Sequence, residues 1–418
     1  MYQAPRGTSD ILPEEQKYWR YVEQKAAYYC QLFGYERIDT PIFEDTNLFS
    51  RSAGEFTDVV QKEMYTFNDR SGNSLTLKPE GTPAVCRAYI QHGFHNLPHP
   101  VKLYYISPIF RYERPQAGRY RQHYQFGCEA IGDDDSSMDA ELINIAWQLY
   151  MSLGIGNLSI SLNSIGCKKC RPEYLNELKK HYSEHSDKLC ADCNTRLINN
   201  PMRLLDCKQA RCQPVADSAP VYIDYLCSEC NNHFTQLQKY LNLLEIPFNI
   251  NHRLVRGFDY YTRTVFEVQP EKEGSQSSVG GGGRYDYLIE ELGGKPTPAV
   301  GFGSGIERIV LNLKRQDIDI PPIPEPDVFL AYIGNNAGEA AIKLASDLRE
   351  VGIGVIKAGS NKSLKAQLRQ ANTIGVHHSL IIGDEEVDKG TVILRDMINA
   401  TQQSVTVDQL KDILLKIH

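Results

Sequence analysis

The chain has 418 residues, which is enough for two or three domains with a large core. Its 41% hydrophobic and 23% charged residues are typical of a globular protein, and its formal net charge of -7 argues against indiscriminate coating of nucleic acid. No stretch approaches the roughly 18 apolar residues of a membrane span, and the N-terminus is too polar for a signal peptide. We therefore expect a cytoplasmic protein whose eleven cysteines are free thiols or metal ligands.

The first hundred residues predict helices and short strands. A helix follows Asp10 and Pro13 and ends at Gly34. Residues 35–45 form a strand-like run that contains a proline, which is typical of an edge or interface strand. Residues 55–80 alternate about a turn and predict a meander, and a helix is expected over 82–92.

Two strands joined by a charged loop are predicted next, over 102–111 and 120–130. Pro115 and Gly118 supply the turn chemistry. Four arginines lie close together in and beside this loop, together with Glu113: Arg111, Arg114, Arg119 and Arg121. This density suits a polyanion, because guanidinium binds phosphate bidentately. A solvated hairpin with local ion pairs is the alternative.

The remaining chain divides by composition. A helix over 138–153 precedes a cysteine-rich segment, 165–244, which we interpret as an inserted module. β character returns over 253–268, in a glycine run at 280–283 and over 297–313, where a strand leads into a helix. The proline-rich stretch 321–326 predicts a linker. Beyond it, short apolar strands alternate with helices, which predicts an α/β domain with a largely parallel sheet.

Eight cysteines of the module are spaced like metal ligands: Cys167, Cys170, Cys190, Cys193, Cys207, Cys212, Cys227 and Cys230. Nineteen residues separate Cys170 from Cys190, which fits a zinc-ribbon spacing, and eight thiolates could hold two Zn²⁺ ions. Reduced thiols or a mixture with disulfides are the alternatives, and the spacing leaves open which pairs share a metal.

Candidate site residues are spread along the chain. Glu80, followed by Gly81 and Thr82, can bind an ammonium group, although a turn closed by a structural glutamate is the alternative. Gln125 and Glu129 lie four apart on one strand and therefore face the same side.

Two glycine-containing segments add further candidates. In RGFDYY (256–261), a glycine beside Arg256 permits close approach of a ligand, and tyrosine hydroxyls can read a ring nitrogen. In GFGSGIER (301–308), alternate glycines leave one strand face bare, so that a flat adenine could lie under Arg308. A surface arginine with core tyrosines, and a glycine alternation without a nucleotide, are the alternatives.

Taken together, these segments resemble the class II aminoacyl-tRNA synthetases. Residues 35–44 are similar to motif 1, the run 110–129 to motif 2 and VGFGSGIERIV (300–310) to motif 3. LVRGFDYYTRTVFEV and GGGRYD are similar to two signatures of the histidyl-tRNA synthetase family.

The resemblance implies an α+β catalytic domain with a mainly antiparallel sheet, a cysteine-rich insertion and a C-terminal α/β anticodon-binding domain. The expected boundaries are 1–164 and 245–320 for the two parts of the catalytic domain, 165–244 for the insertion, 321–326 for the linker and 327–418 for the anticodon-binding domain.

The resemblance also implies roles for single residues. Arg111 would hold the α-phosphate of ATP, Glu113 the adenine side and Arg119 the β- and γ-phosphates, while Arg308 would stack over adenine. The residues expected to bind histidine are Glu80, Gly81, Thr82, Gln125, Glu129, Arg256, Tyr260 and Tyr261. Arg256 would be the distinctive catalytic residue, together with Arg111 and Arg308, near the α-phosphate where other class II enzymes place a metal ion.

The implied reaction uses ATP, with Mg²⁺, and L-histidine to form histidyl-adenylate and pyrophosphate, and then passes the histidyl group to the 3′ end of tRNA. Two anions must meet, and positioned arginines suit that task. Motif 1 implies a homodimer with residues 37–45 near the two-fold axis, and the insertion is expected to contact the tRNA acceptor arm.

In the C-terminal domain, a helix over 361–371 is expected to present a basic stripe to tRNA, formed by Lys362, Lys365 and Arg369. A solvated lysine face is the alternative.

Two other functions share this fold. A non-catalytic paralogue, the regulatory subunit of ATP phosphoribosyltransferase, would lack the anticodon-binding domain and catalytic arginines. A synthetase for another amino acid, or a synthetase-like binding module, would lack RGFDYY or Glu129. The presence of Arg111, Arg256, Arg308 and a full C-terminal domain favours the histidine enzyme.

Overall fold

The computed structural model describes residues 2–54, 57–114, 119–270, 278–323, 326–360 and 362–417. It separates into two compact units, Met1–Pro321 and Pro322–His418. The predicted turn residues Pro115 and Gly118 lie outside the described residues. No helix in the described ranges is both long and apolar enough to cross a membrane.

The first unit contains a large sheet, a small sheet and helices that cover them. Its helices are α1 Gln16–Leu32, α2 Thr46–Ala53, α3 Thr82–Gln91, α4 Ser136–Ser152, α5 Arg171–Ser183, α6 Ala191–Asn199, α7 Gln213–Asp217, α8 Ser228–Leu243, α9 Leu288–Glu291 and α10 Ile306–Arg315. Its strands are β1 Glu36–Arg37, β2 Phe43–Asp45, β3 Thr66–Asn68, β4 Ser74–Leu77, β5 Val101–Phe110, β6 Gln122–Ile131, β7 Leu158–Ser164, β8 Phe248–Ile250, β9 Thr262–Pro270, β10 Gly280–Arg284 and β11 Ala299–Gly305.

The large sheet has the strand order β1-β5-β6-β11-β10-β9-β7-β8. Its two outermost pairs, β1 with β5 and β7 with β8, are parallel, and the five inner pairs are antiparallel. The predicted mainly antiparallel sheet is therefore confirmed. The β5–β6 hairpin also forms as expected, because both arms are rich in residues that favour strands.

Helix α4 shows how the apolar pattern fixes the packing. Asp135 caps it by accepting a hydrogen bond from the backbone N–H of Ser137 at 2.8 Å. Leu142, Ala146 and Leu149 are fully buried in the core that covers one face of the large sheet. The interval of three or four residues between them puts them on one side of the helix, as the sequence predicts.

Two predicted strands differ from the structure. Residues 35–45 form the two short strands β1 and β2 in different sheets, and Pro41, which lacks a backbone donor, lies between them. The run 253–268 becomes strand only from Thr262, because the backbone before it bonds outside the sheet. The N–H of Asp259, for example, donates to the carbonyl oxygen of Ala53 at 3.1 Å.

The second unit is an α/β domain. Its strands are β12 Val328–Ile333, β13 Val355–Lys357, β14 His378–Gly383, β15 Thr391–Asp396 and β16 Gln402–Thr406, and its helices are α11 Asn335–Glu350, α12 Leu364–Ile374, α13 Asp384–Lys389 and α14 Val407–Ile417. The sheet order is β13-β12-β14-β15-β16. The first three strands are parallel, but β15 and β16 are antiparallel, so the expectation of a largely parallel sheet is wrong at this edge. The polar sequence of β16 shows no buried-strand pattern.

Candidate active site

A cavity of about 840 Å³ lies in the first unit. The strands β6, β9, β10 and β11, the RGFDYY loop and the segment before α3 all contribute residues to its wall. The structure brings together the following predicted residues along this wall: Glu80, Thr82, Arg111, Glu113, Arg119, Gln125, Arg256, Tyr260, Tyr261 and Arg308.

Glu129 lies next to this cavity and is fully buried. Its carboxylate accepts hydrogen bonds from Thr82 Oγ1 at 2.7 Å, from Tyr285 Oη at 2.5 Å and from Tyr105 Oη at 3.5 Å. Burial raises the pKa of Glu129 to about 8, although the bonds from Tyr285 and Thr82 act in the opposite direction. An uncharged carboxyl group is therefore the main form near pH 7 in the substrate-free protein.

Glu80 is the second buried carboxyl group. One of its oxygens accepts a hydrogen bond from Tyr260 Oη at 2.7 Å, and the other is buried with no partner among the residues that the structure describes. Burial raises the pKa of Glu80 to about 7. Gln125 Oε1 is likewise buried and has no partner within the described ranges. Unsatisfied buried oxygens on a cavity wall indicate a ligand that supplies donors, since such groups are costly when left unpaired.

The alternate glycines of β11 leave room for side chains of the adjacent strand β6. A Cβ atom on Gly301 would lie 1.7 Å from Glu129 Oε2, and a Cβ atom on Gly303 would lie 1.8 Å from Gln125 Nε2. These glycines make room for two polar side chains of the adjacent strand β6. At Gly301 and Gly303 this face is therefore occupied by Glu129 and Gln125, while the position of adenine stays a prediction.

Arginines from several segments line the same cavity. Arg111 Nε donates to the carbonyl oxygen of Pro79 at 2.8 Å, and its guanidinium lies 5.5 Å from the ring centroid of Phe258. The carboxylate of Glu113 lies 3.9 Å from Arg111 and 3.6 Å from Arg119. Arg308 Nη1 donates to the carbonyl oxygen of Ser278 at 2.8 Å. These arginines supply positive charge of the kind that a polyphosphate requires.

Arg256 forms a close ion pair with Glu267 of β9, with 2.5 Å between Nη1 and Oε1. Its guanidinium carbon lies 6.0 Å from the ring centroid of Tyr261. Its Nε is buried and has no hydrogen-bond partner among the described residues. Glu267 and Tyr261 therefore orient the guanidinium, and within the described part of the chain Nε is a donor left for a ligand.

Sequence reasoning missed several residues of this site. Tyr105, Tyr285 and Glu267 hold predicted site residues through hydrogen bonds, and His123 lines the cavity. Burial, together with the nearby charges of Arg111 and Arg308, lowers the pKa of His123 to about 3, so its ring stays neutral. The sequence offers a hint for two of these residues. Glu267 is a charged residue inside the apolar run TVFEV, and Tyr285 lies in the GGGRYD segment.

The eight module cysteines form two separate clusters. One contains Cys167, Cys170, Cys227 and Cys230, and the other contains Cys190, Cys193, Cys207 and Cys212. The sulfur atoms of each cluster lie within 4.8 Å of one another. The zinc-ribbon spacing between Cys170 and Cys190 therefore does not define a site, because these residues belong to different clusters. Cys30, Cys86 and Cys128 are buried in the core, as predicted.

The geometry of the clusters fits zinc. Sulfur–sulfur distances are 3.8 Å for Cys167–Cys170 and 3.9 Å for Cys167–Cys227, and four zinc–sulfur bonds of about 2.3 Å at tetrahedral angles separate the sulfurs by about 3.8 Å. Backbone N–H groups also donate to the sulfurs. Cys170 Sγ accepts from Cys167 N, and Cys212 Sγ accepts from Cys190 N, both at 3.2 Å. Such bonds are typical of the surroundings of thiolate-bound metals.

In the second unit, only part of the predicted basic stripe lies on a helix. Lys365 and Arg369 are exposed on α12, whose opposite face packs through Leu364, Leu368 and Ala371. Lys362 precedes the helix, because Ser363 is the N-cap residue and accepts a hydrogen bond from the N–H of Ala366 at 3.3 Å. The expected helix start at 361 is therefore wrong.

The mainly antiparallel sheet, the three motif segments on β1–β2, β5–β6 and β11–α10, and the separate α/β unit define a class II aminoacyl-tRNA synthetase. A family model described as histidyl-tRNA synthetase matches residues 7–183 and 203–309, and a model of an anticodon binding domain matches 327–417. The chain belongs to the histidyl-tRNA synthetase family.

Full-length relatives support the same assignment. The chain is 60% identical over 410 residues to a histidine--tRNA ligase of Dehalococcoides mccartyi, with 98% of each chain covered. It is 48% identical to a histidine--tRNA ligase of Desulforamulus reducens, with 97% of each chain covered. A crystal structure of apo S. aureus histidyl-tRNA synthetase superposes with a TM-score of 0.83 at 37% identity and covers 99% of both chains. The prediction of a histidine--tRNA ligase is confirmed.

The alternative interpretation, a regulatory subunit of ATP phosphoribosyltransferase, is disfavoured. A structure described as an ATP phosphoribosyltransferase regulatory subunit/histidyl-tRNA synthetase from Bacillus halodurans C shares the fold, with a TM-score of 0.64, but only 22% identity. This chain has the anticodon-binding domain that the regulatory paralogue was expected to lack.

Proposed function

We propose that the cavity forms histidyl-adenylate from L-histidine and ATP, and that the same site then passes the histidyl group to the 3′ end of tRNA. The observation that carries this proposal is one cavity lined by two chemically different sets of residues. Buried carboxyl and amide groups, with oxygens that are unpaired among the described residues, form one set, and arginines form the other. An amino acid and a nucleoside triphosphate need these two environments side by side.

On the histidine side, Glu80, Thr82 and Gln125 would hold the α-ammonium group, with Gly81 in the same turn. Gly81 lies directly against the ring of Tyr105, where a Cβ atom would be 2.2 Å from the ring. Glu129 and Tyr261 would form hydrogen bonds with the two imidazole nitrogens, and Tyr260 would line the pocket. The three hydroxyl groups that bond Glu129 fix its orientation, which supports a role in specificity.

On the ATP side, Arg111 would bind the α-phosphate, Glu113 the adenine side and Arg119 the β- and γ-phosphates, while Arg308 would stack on adenine. The histidine carboxylate attacks the α-phosphorus in line with the leaving pyrophosphate, and Arg256 would stabilise the charge that develops there. Mg²⁺ would neutralise phosphate charge when ATP binds. Glu113 and Glu267 line the cavity and offer the carboxylate oxygens that this ion prefers.

The macromolecular partners are also proposals. Lys365 and Arg369 would contact the tRNA backbone, together with Lys362 just before the helix. The insertion would contact the acceptor arm, and Arg203 and Lys208 of this module line the cavity.

A homodimer would form through the motif 1 region, where Phe43 and Phe67 are exposed with ring centroids 6.4 Å apart. The cytoplasm is the proposed compartment.

Amino-acid-dependent exchange of pyrophosphate into ATP tests the proposal. We expect exchange with histidine and none above background with other amino acids. Equal exchange with several amino acids, or none with histidine, would contradict it. Charging of tRNA by the same preparation tests the second step separately.

Histidine binding is expected to weaken as the pH falls from about 8 to about 6. The reason is that the α-ammonium group needs an ionised Glu80, whose pKa of about 7 in the substrate-free protein leaves it mostly protonated at the lower pH. Calorimetric titration with histidine across this range measures the effect. Glu80→Gln is the control, since it keeps the titration of the ligand itself and removes that of Glu80. Identical pH profiles for the two proteins would contradict the role of Glu80.

Protein purified without added zinc is expected to contain about two equivalents of the metal, one for each cysteine cluster. Cys230→Ser should lower this to about one equivalent. Cys30→Ala, which changes a core cysteine outside both clusters, should leave it at two. Elemental analysis measures the content, and less than about one equivalent in the unmodified protein would defeat the zinc proposal.

A further inference from the structure

The first cysteine cluster, formed by Cys167, Cys170, Cys227 and Cys230, lies at the base of the insertion and is bonded to the catalytic sheet. Just before it, the N–H of Ile165 donates to the carbonyl oxygen of Arg263, and the N–H of Arg263 donates to that of Gly166, both at 2.7 Å. Gly166 has a φ of +59°, and a Cβ atom there would lie 2.6 Å from Cys170 Sγ. The chain can therefore turn into the cluster only with a glycine at this position.

Arg171 follows Cys170 directly and begins helix α5. Its Nη2 donates to the backbone carbonyl oxygen of Tyr261 at 2.6 Å. This bond crosses from the metal-binding segment to the loop that carries RGFDYY. The donor is charged and half-buried, so it is stronger than an ordinary side-chain bond to the backbone.

The backbone of Tyr261 supports much of the proposed histidine pocket. The rings of Tyr260 and Tyr261 lie 4.6 Å apart, and Tyr260 donates to Glu80 at 2.7 Å. A shift of the Tyr261 carbonyl would therefore move the side chain proposed to read the imidazole and the partner of the carboxylate proposed to bind the ammonium group. Arg111, Arg119 and Arg308, which are proposed to bind ATP, lie on other segments, whereas Arg256 lies on the same loop as Tyr261.

We propose that Arg171 is a positioning residue for the histidine pocket, and that a metal ion in the first cluster fixes its place. The inference rests on the proposed function, because it assigns the effect to histidine rather than to ATP. The ion would hold residues 167–170 in one conformation, so that Arg171 meets Tyr261 without a large loss of conformational entropy. The first cluster would thereby support substrate recognition as well as the fold of the insertion.

The test compares four variants of the full-length protein in the pyrophosphate exchange reaction. Arg171→Ala is expected to raise the KM for histidine by about tenfold, with the KM for ATP within about twofold and two equivalents of zinc retained. Arg171→Lys should recover part of the loss, since lysine keeps a charged donor. Lys169→Ala is the matched control: it lies on the same segment, is exposed, and pairs with Glu229 at 2.9 Å instead of with the catalytic loop.

The positioning role of Arg171 and the role of the metal ion are contradicted by different results. A histidine KM within twofold of the unmodified protein in Arg171→Ala, or an equal rise in the KM for ATP, would overturn the positioning role. Cys170→Ser is expected to lose one zinc equivalent and to show the same rise in histidine KM. Loss of that zinc without the rise would overturn the part assigned to the metal. Absence of histidine-dependent exchange in the unmodified protein would instead reject the proposed function on which both parts rest.

Discussion

Replacing Arg256 with alanine is expected to slow the formation of histidyl-adenylate by about 10²- to 10³-fold, the usual effect of removing one donor that stabilises charge in a transition state. ATP affinity should change much less, because Arg111, Arg119 and Arg308 remain in the cavity wall. Rapid-quench measurement of a single turnover, with the enzyme in excess over ATP, gives the chemical step. Equilibrium binding of ATP gives the affinity.

A second variant is needed to interpret the rate of Arg256→Ala, because Arg256 forms an ion pair with Glu267. Removing Arg256 alone leaves the Glu267 carboxylate in the cavity without the partner that lies 2.5 Å away. Its negative charge would then repel the phosphates and slow the reaction for a secondary reason. In Arg256→Ala/Glu267→Gln this repulsion is absent. A rate that stays low in the double variant supports a catalytic role for the arginine, whereas full recovery, or an unchanged rate in the single variant, would contradict it.

The parts of the site that follow from local periodicity could be predicted from the sequence. Gln125 and Glu129 were expected on one face of a strand, because residues four apart on a strand point the same way. The structure shows both side chains over glycines of the neighbouring strand β11. The hairpin and the strand-to-helix change at Ile306 follow from the same kind of pattern.

The contacts made by distant parts of the chain could not be predicted in this way. Tyr285 is 156 positions away from Glu129, and the two meet only because β10 and β6 both lie beside β11. Cysteine pairing is another such case. Spacing leaves open which cysteines share a metal, and in the structure the segments of the first cluster are sixty positions apart and enclose those of the second. Strand order and helix packing decide these contacts, and neither is encoded in a short window.

Replacing Glu129 with glutamine is expected to lower kcat/KM for histidine by at least about 10²-fold, while the KM for ATP stays within a few-fold. The amide matches the shape and the neutral charge of the protonated carboxyl group, but it cannot ionise when histidine binds. It offers the imidazole one acceptor oxygen where an ionised carboxylate offers two. A site built to pair polar groups loses binding steeply when one of them is left unsatisfied. Pyrophosphate exchange at varied histidine concentrations measures the change, and a loss of less than about threefold would contradict the role of Glu129.

The raised pKa of Glu129 makes this substitution informative about recognition as opposed to folding. With a pKa of about 8, the carboxyl group is mostly protonated at pH 7 in the substrate-free protein, so glutamine replaces one neutral group by another. The thermal unfolding temperature at pH 7 should therefore change little. Tyr285→Phe is the companion variant. It removes the 2.5 Å bond that opposes the effect of burial, so the pKa of Glu129 should rise further and histidine binding should weaken without any change to the carboxyl group itself. If both variants lose histidine activation at unchanged stability, the loss arises from the pocket's contacts with the amino acid.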